Sequence, residues 1–307
     1  MFDGILPIYK ERGMTSHDVV FKARKILKMK KIGHSGTLDP EVDGVLLLLL
    51  GGATKVSDYA MDLGKSYRAE VCLGIKTTTE DLTGEILEER TVEGIDISDI
   101  KGILKTMVGE IEQTPPIYSA VKVNGRKLYE YARRGQFDVE IPSRKVNIYN
   151  IDFIDNSEYY KDGKFYFTID INCGKGTYVR TIATSIGEKL NIPSTMSKLT
   201  RTSSGKVTID HCLKLADVEK CLKENTLEDK ILKKEYALEE YQFVEIPLFR
   251  AKQVMNGLRF RKNQFPDYDF SNGIVFTYNN EAIAIYYLKD KDDELLSVKT
   301  TFPKILE

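Results

Sequence analysis

Residues 33–55 read GHSGTLDPEVDGVLLLLLGGATK, and the unbroken aliphatic run within them, Val45–Leu50, is the longest of its kind in the chain. A short Val/Leu run set between turn-forming residues reads as a strand buried on both faces, ended by Gly51-Gly52. The polar half before it carries His34, two hydroxyl residues and the pair Asp39-Pro40. Aspartate before proline is ordinarily a turn former: its side chain bonds nearby backbone N–H groups and the proline fixes the next dihedral. A lone histidine is ordinarily a surface or hydrogen-bonded one. Neither phosphate-binding fingerprint is present, because no Gly-Lys-Ser/Thr stands at the Walker offset and the Rossmann spacing of glycines is missing. The other histidines, His17 and His211, have no evident nucleophile beside them.

Working outward, the helical period places one helix over TSHDVVFKARKILKMKK, with Thr15 or Ser16 as cap and Val19, Val20, Ala23, Ile26 and Leu27 on its apolar face. SYRAEVCLGI alternates as a strand with Tyr67, Ala69, Val71 and Leu73 on one face. ISDIKGILKTMVGEI predicts a helix, and RKLYEYARRG a short basic one closed by glycine. KVNIYNIDFIDN and GKFYFTIDINCG read as strands with a hairpin turn between them, and TYVRTIATSIGEKLNIP returns to helix. Acidic, lysine-rich helices over Leu215 to Glu239 mark a boundary. The tail holds a short helix, FRAKQVMNGLRF, and two strands about the turn Asn279-Asn280.

The chain has 307 residues, 42% hydrophobic and 30% charged, which suits a folded, soluble protein with one large domain and a small one. No apolar run approaches the ~20 residues needed to cross a bilayer, and the N-terminus lacks a secretory pattern, so no membrane association is expected. Four scattered cysteines form no metal-binding cluster and suit a reducing, cytoplasmic setting. The net charge of -1 hides two basic stretches, Lys22–Lys31 and Lys122–Lys145. Such runs are commonly solvated helix faces, and they are equally compatible with a nucleic-acid footprint.

Five segments, in order, resemble one family. GHSGTLDPEVDGVLLLLLGGATK is similar to the catalytic motif of the TruB family, the bacterial pseudouridine synthases that modify uridine 55 in the T arm of tRNA. KERGMTSHDVV resembles that family's N-terminal segment, GKSYRAEVCLG its tyrosine-bearing strand, TPPIYSAVKVNGRKLYEYARRG its RNA-gripping insertion, and CGKGTYVRTIATSIGEKL its arginine-bearing segment. One departure is visible: Lys10 is followed by Glu11 where the family has proline. The tail resembles, more weakly, a PUA-type RNA-binding module.

The resemblance implies an α+β fold, with a large mixed or antiparallel sheet flanked by helices over residues 1–240 and a small mostly-β module over 241–307. It implies that the C1′–N1 bond of uridine is broken and the base rejoined through C5, without cofactor or metal. Asp39 would be the nucleophilic carboxylate, adding to uracil C6 or sugar C1′ or removing a ribose proton. Arg180 would pair with it in bidentate fashion, and Tyr67 would stack on the base and help remove the C5 proton. Tyr178 and Leu199 would wall the uracil, His34 would fill the space left by a flipped base, and Lys10 and Lys55 are further substrate-binding candidates. Lys122, Arg126, Lys127, Arg133 and Arg134, in an insertion at about 120–146, would grip the T-arm backbone. The C-terminal module would touch the acceptor end, and no obligatory protein partner is implied.

Three rivals stand beside this reading. A guide-RNA-dependent pseudouridine synthase shares the Gly-His-Ser-Gly-Thr-Leu-Asp-Pro opening, but the insertion favours an enzyme that holds RNA unaided. An RNA-binding or RNA-folding protein on the same scaffold would not need Asp39, Tyr67 and Arg180 together. A small-molecule lyase would need neither basic stretch.

Overall fold

Two sheets organise the protein, whose computed structural model describes residues 2–302. The first begins with β1 (Gly4–Lys10), α1 (Ser16–Leu27), β2 (Ile32–His34), β3 (Asp43–Leu50), α2 (Ser57–Asp62) and β4 (Lys65–Leu73). A hairpin of β5 (Ile75–Thr77) and β6 (Ile86–Glu89) leads to α3 (Ile97–Thr106) and β7 (Gly109–Gln113). Next come a second hairpin, β8 (Lys122–Val123) with β9 (Arg126–Lys127), and α4 (Leu128–Ala132). The strands β10 (Arg144–Phe153), β11 (Tyr159–Lys161) and β12 (Lys164–Cys173), then α5 (Val179–Leu190), β13 (Ser194–Ser204), β14 (Val207–Thr208) and α6 (Leu215–Lys223), complete this part. The second sheet is built from β15 (Gln242–Glu245), α7 (Leu248–Met255), β16 (Phe260–Arg261), β17 (Ile274–Tyr278), β18 (Glu281–Tyr287) and β19 (Leu295–Thr301).

The main path of the first sheet runs β1–β3–β13–β4–β12–β10–β7, antiparallel except where β13 lies parallel to β3. The second runs β15–β17–β18–β19–β16. This is an α+β fold with a mixed sheet and a small, mostly-β module.

Strand β3 explains why its sequence lacks alternation. Val45, Leu47 and Leu49 enter one core with Tyr59, Val207 and, from the second sheet, Val275, Ala282 and Ile285. Leu46, Leu48 and Leu50 enter another, under α1 and α6. All six are fully buried, and each leucine adds ~1.5–3 kcal/mol by leaving water. Gly44 is required where β3 meets β13. A Cβ there would lie 2.1 Å from the Arg201 carbonyl oxygen, and φ is +109°. A third core joins α3 and α5 to the inner face of β4, β10, β12 and β13.

Several elements differ from expectation. The helix predicted to run through residue 111 stops at Thr106; Gly109, at φ +107°, opens strand β7 instead. The basic helix shortens to α4, because Arg126 and Lys127 pair with Lys122 and Val123 across a turn whose central residues, Asn124 and Gly125, both have positive φ. Between Leu215 and Glu239 only α6 is a helix of any length, followed by 3-10 turns at Glu228–Lys230 and Lys234–Leu238. That stretch is no free boundary: Leu232 exchanges backbone hydrogen bonds with Ile5, and Ala237 and Leu238 lie in the core shared with β3. Residues 303–307 of the expected C-terminal module lie outside the described residues. In that module the Asn279-Asn280 turn joins β17 to β18, both residues at φ above +50°, as a tight hairpin requires.

Candidate active site

The loop between β2 and β3 is held from beneath by polar contacts. Ser35 N–H donates to the Leu47 carbonyl (3.0 Å), Gly13 N–H to the Pro40 carbonyl (2.9 Å) and Val42 N–H to the Asp39 carbonyl (3.1 Å). Ser16 Oγ accepts from Leu38 N–H (2.8 Å) and donates to the Leu38 carbonyl (3.2 Å). Thr15, not Ser16, caps α1, through a capping box with Asp18.

Lys10 completes the brace. Its fully buried ammonium donates to the carbonyls of Met14 (2.6 Å), Glu11 (3.1 Å) and Pro40 (3.2 Å). Burial lowers its pKa, opposed by Asp43, Glu41 and Asp39. Lys10 does not line the cavity beside Asp39, so its assignment to substrate binding is corrected to support of the loop. Glu11 disturbs nothing here; its carboxylate meets Lys214 at 3.3 Å. Lys10→Met would leave three carbonyls without a charged donor, and is expected to lower stability by about 3 kcal/mol. Urea denaturation checks this, and a variant as stable as the parent would refute the brace.

Asp39 reaches the mouth of a cavity of about 640 Å³, its side chain half exposed. Arg180, in the first turn of α5, is buried rather than on a helix surface. One Nη lies 3.2 Å from Asp39 Oδ2 and donates to the Tyr118 carbonyl (3.0 Å). The other donates to the Thr79 carbonyl (3.0 Å) and lies 3.9 Å from Asp81 Oδ2. The expected bidentate pair is thus a single contact, because the remaining donors are spent on backbone and on a second carboxylate.

Tyr67 and Leu199 come from neighbouring strands, and Tyr178 from the N-terminus of α5; all three line the cavity with Asp39 and Arg180. Gln113 fixes Tyr178 by bonding both its N–H (2.7 Å) and its carbonyl (3.0 Å), and the Arg144 guanidinium lies 5.0 Å from the Tyr178 ring centre. Burial raises the Tyr67 phenol pKa, Arg201 opposes that rise, and Cys173 and Asp39 add to it. His34 stands one residue outside the lining, where burial lowers its pKa and leaves the ring neutral near pH 7. Lys55 is elsewhere. Its exposed ammonium donates to the Thr301 carbonyl at 2.7 Å, outside the cavity lining, and ties the first part of the chain to the second sheet. Lys122, Arg126, Lys127, Arg133 and Arg134 lie outside the cavity, with Arg126 against Tyr131 and both Lys127 and Arg133 against Tyr129.

A family model described as "TruB family pseudouridylate synthase (N terminal domain)" matches residues 24–179. The chain belongs to the TruB family. Proteins named tRNA pseudouridine synthase B from Staphylococcus aureus strains MSSA476 and JH9 are each 48% identical to it, over 98% of this chain and 100% of theirs. Among solved structures, a Cbf5-Nop10-Gar1 complex matches with TM-score 0.70 at 24% identity, over 98% of this chain and 85% of that one. An archaeal box H/ACA Nop10-Cbf5 complex matches with TM-score 0.69 at 22% identity, over 98% and 88%. These two likenesses are of fold. As a TruB-family member the chain is a pseudouridine synthase, an isomerase acting on RNA.

Four residues of this TruB-family site escaped sequence reading. Asp81 meets Arg180 from the β5–β6 hairpin, and Ser16 holds Leu38. Lys65 and Arg201 lie buried in the cavity wall. Only Lys65 left a signal, standing two residues before Tyr67, and alternation alone would put it on the same face.

Proposed function

We propose that the chain converts uridine 55 in the T arm of tRNA to pseudouridine, by extruding the base and using Asp39 with no cofactor. The observation that carries this is the meeting of Asp39, Arg180, Tyr67, Tyr178 and Leu199 in one cavity of nucleotide size. The full-length likeness to proteins named for tRNA supports the substrate; it is twice the identity of the likeness to the Cbf5 complexes.

The target base must leave its stack to reach Asp39, at a cost of a few kcal/mol offset by contacts in the pocket. Tyr67 offers an aromatic face, Leu199 an apolar wall. Asp39 then adds to C6 or C1′, or removes a ribose proton, and Arg180 holds the carboxylate toward the reacting atoms. Residues 1–240 would form the catalytic unit. The insertion at about 120–146 would grip the T-arm backbone through Lys122, Arg126, Lys127, Arg133 and Arg134, and residues 241–307 would contact the acceptor end.

The test is release of tritium from a tRNA transcript labelled at uridine C5, since joining the base through C5 must expel that hydrogen. Release of one equivalent per tRNA, lost when residue 55 is changed to cytidine, is expected. No release from a folded transcript, or release unaffected by that change, would refute the assignment.

A further inference from the structure

Two cations lie in the cavity wall with no carboxylate within 4 Å of either among the described residues. Arg201 is 1% exposed and Lys65 7%. Arg201 Nε donates to the Val45 carbonyl at 2.6 Å, while its Nη2 has no partner. Lys65 donates to the carbonyls of Leu63 (2.7 Å) and Met61 (2.8 Å). A Cβ on Gly36, in the Asp39 loop, would lie 3.8 Å from Arg201 Nη1 and 3.9 Å from Lys65 Cε. Both cations therefore sit directly beneath the loop. Arg201 also pairs across strands with Tyr67.

Keeping a guanidinium and an ammonium together out of water is unfavourable unless negative charge comes to meet them. We propose that Arg201 and Lys65 form a fixed positive floor whose counter-charge is the uracil ring at the stage when it has left the ribose. This rests on the isomerase reading above. Breaking C1′–N1 leaves the bonding pair on the base, a monoanion with its charge spread over N1, O2 and O4. The electron deficiency at C1′ is met by the Asp39 carboxylate or relieved by loss of the C2′ proton. Rejoining uses an electron pair from C5; the C5 proton departs to solvent, N1 takes up a proton, and any proton lost from C2′ is returned there, so nothing is oxidised or reduced. A neutral uridine gains little from the floor and the detached anion gains much, so the floor favours the reaction over binding.

Lys65 supplies a built-in readout. Burial pulls its pKa down to about 8, with Arg201 and Lys175 lowering it and Cys173 and Asp62 raising it. It is charged below that pH and neutral above it, so the saturating rate of the parent enzyme should fall as pH rises through about 8. Lys65→Arg keeps its charge there, and its rate should stay level.

The experiment measures single-turnover conversion and dissociation constant on the tRNA transcript for the parent, Arg201→Lys, Arg201→Met, Lys65→Met and Lys65→Arg. Arg201→Met should be about 10²-fold slower, Arg201→Lys within about tenfold of the parent, and tRNA affinity unchanged in every variant. Weaker binding with an unchanged saturating rate and a salt slope reduced by about one would make the floor a phosphate contact and overturn the proposal. A fall above pH 8 that persists in Lys65→Arg would overturn it equally. Should Arg201→Met fail to fold, the pH profile of Lys65→Arg decides alone. A parent enzyme that releases no tritium sinks the isomerase reading itself; an active parent with indistinguishable variants sinks only the charged floor.

Discussion

Asp39→Asn is expected to reduce tritium release from C5-labelled tRNA by at least about 10⁴-fold, with the transcript still bound. The substitution changes charge and nucleophilicity but hardly shape. Every route to pseudouridine that Asp39 can serve needs an anionic oxygen, whether to form a bond to carbon or to take a ribose proton. The loop should survive the change, because Lys10, Gly13 and Ser16 hold it through the backbone of Leu38 and Pro40 and make no use of the Asp39 carboxylate. Its side chain is half exposed at the cavity mouth, so no packing is lost. Measured side by side, binding and tritium release separate the chemical role from a scaffolding one. Release within tenfold of the parent would remove Asp39 from the chemistry.

Arg180→Lys should cost about 10²-fold in the same assay, although it preserves the charge. The guanidinium divides its donors among the Thr79 and Tyr118 carbonyls, Asp39 and, at 3.9 Å, Asp81. A single ammonium on a flexible stem cannot serve groups arranged around a planar fork. With lysine, the two carboxylates would face each other across a weaker, wandering cation, and Asp39 would lose its aim. A large drop in rate with a near-native melting temperature is the expected pattern. Equal activity in the lysine variant would mean that charge alone suffices.

The strand and the loop were legible because their signals are local. Val45–Leu50 departs from alternation for the reason that each face meets a different core, and an apolar run shows that directly. Asp39, Tyr67, Tyr178, Arg180 and Leu199 stand in recognisable segments, and the fold brings all five to one cavity. Lys10 and Arg201 were misread or missed for a common physical reason. A basic residue on a strand or at its end looks solvated until its neighbours in space are known. Arg201 is buried where Gly44 lets β3 close against its backbone, and neither segment announces the other. The three carbonyls that hold Lys10 come from its own loop and from Pro40, an arrangement that exists only after folding.

The core shared by β3 and the second sheet fixes how the two parts of the molecule are spaced. Val45, Leu47 and Leu49 pack with Val275, Ala282 and Ile285, and Lys55 and Tyr59 hydrogen-bond Thr301 and Thr300. Such a joint is no tether. Modules on a flexible linker reach many spacings and gain by raised local concentration. Modules welded through a common interior hold one spacing, like the jaws of a fixed caliper. If the second sheet makes the far RNA contact proposed above, an RNA that presents a fitting uridine at the wrong distance from that contact would gain nothing from the second jaw, and overall shape would become part of what is selected.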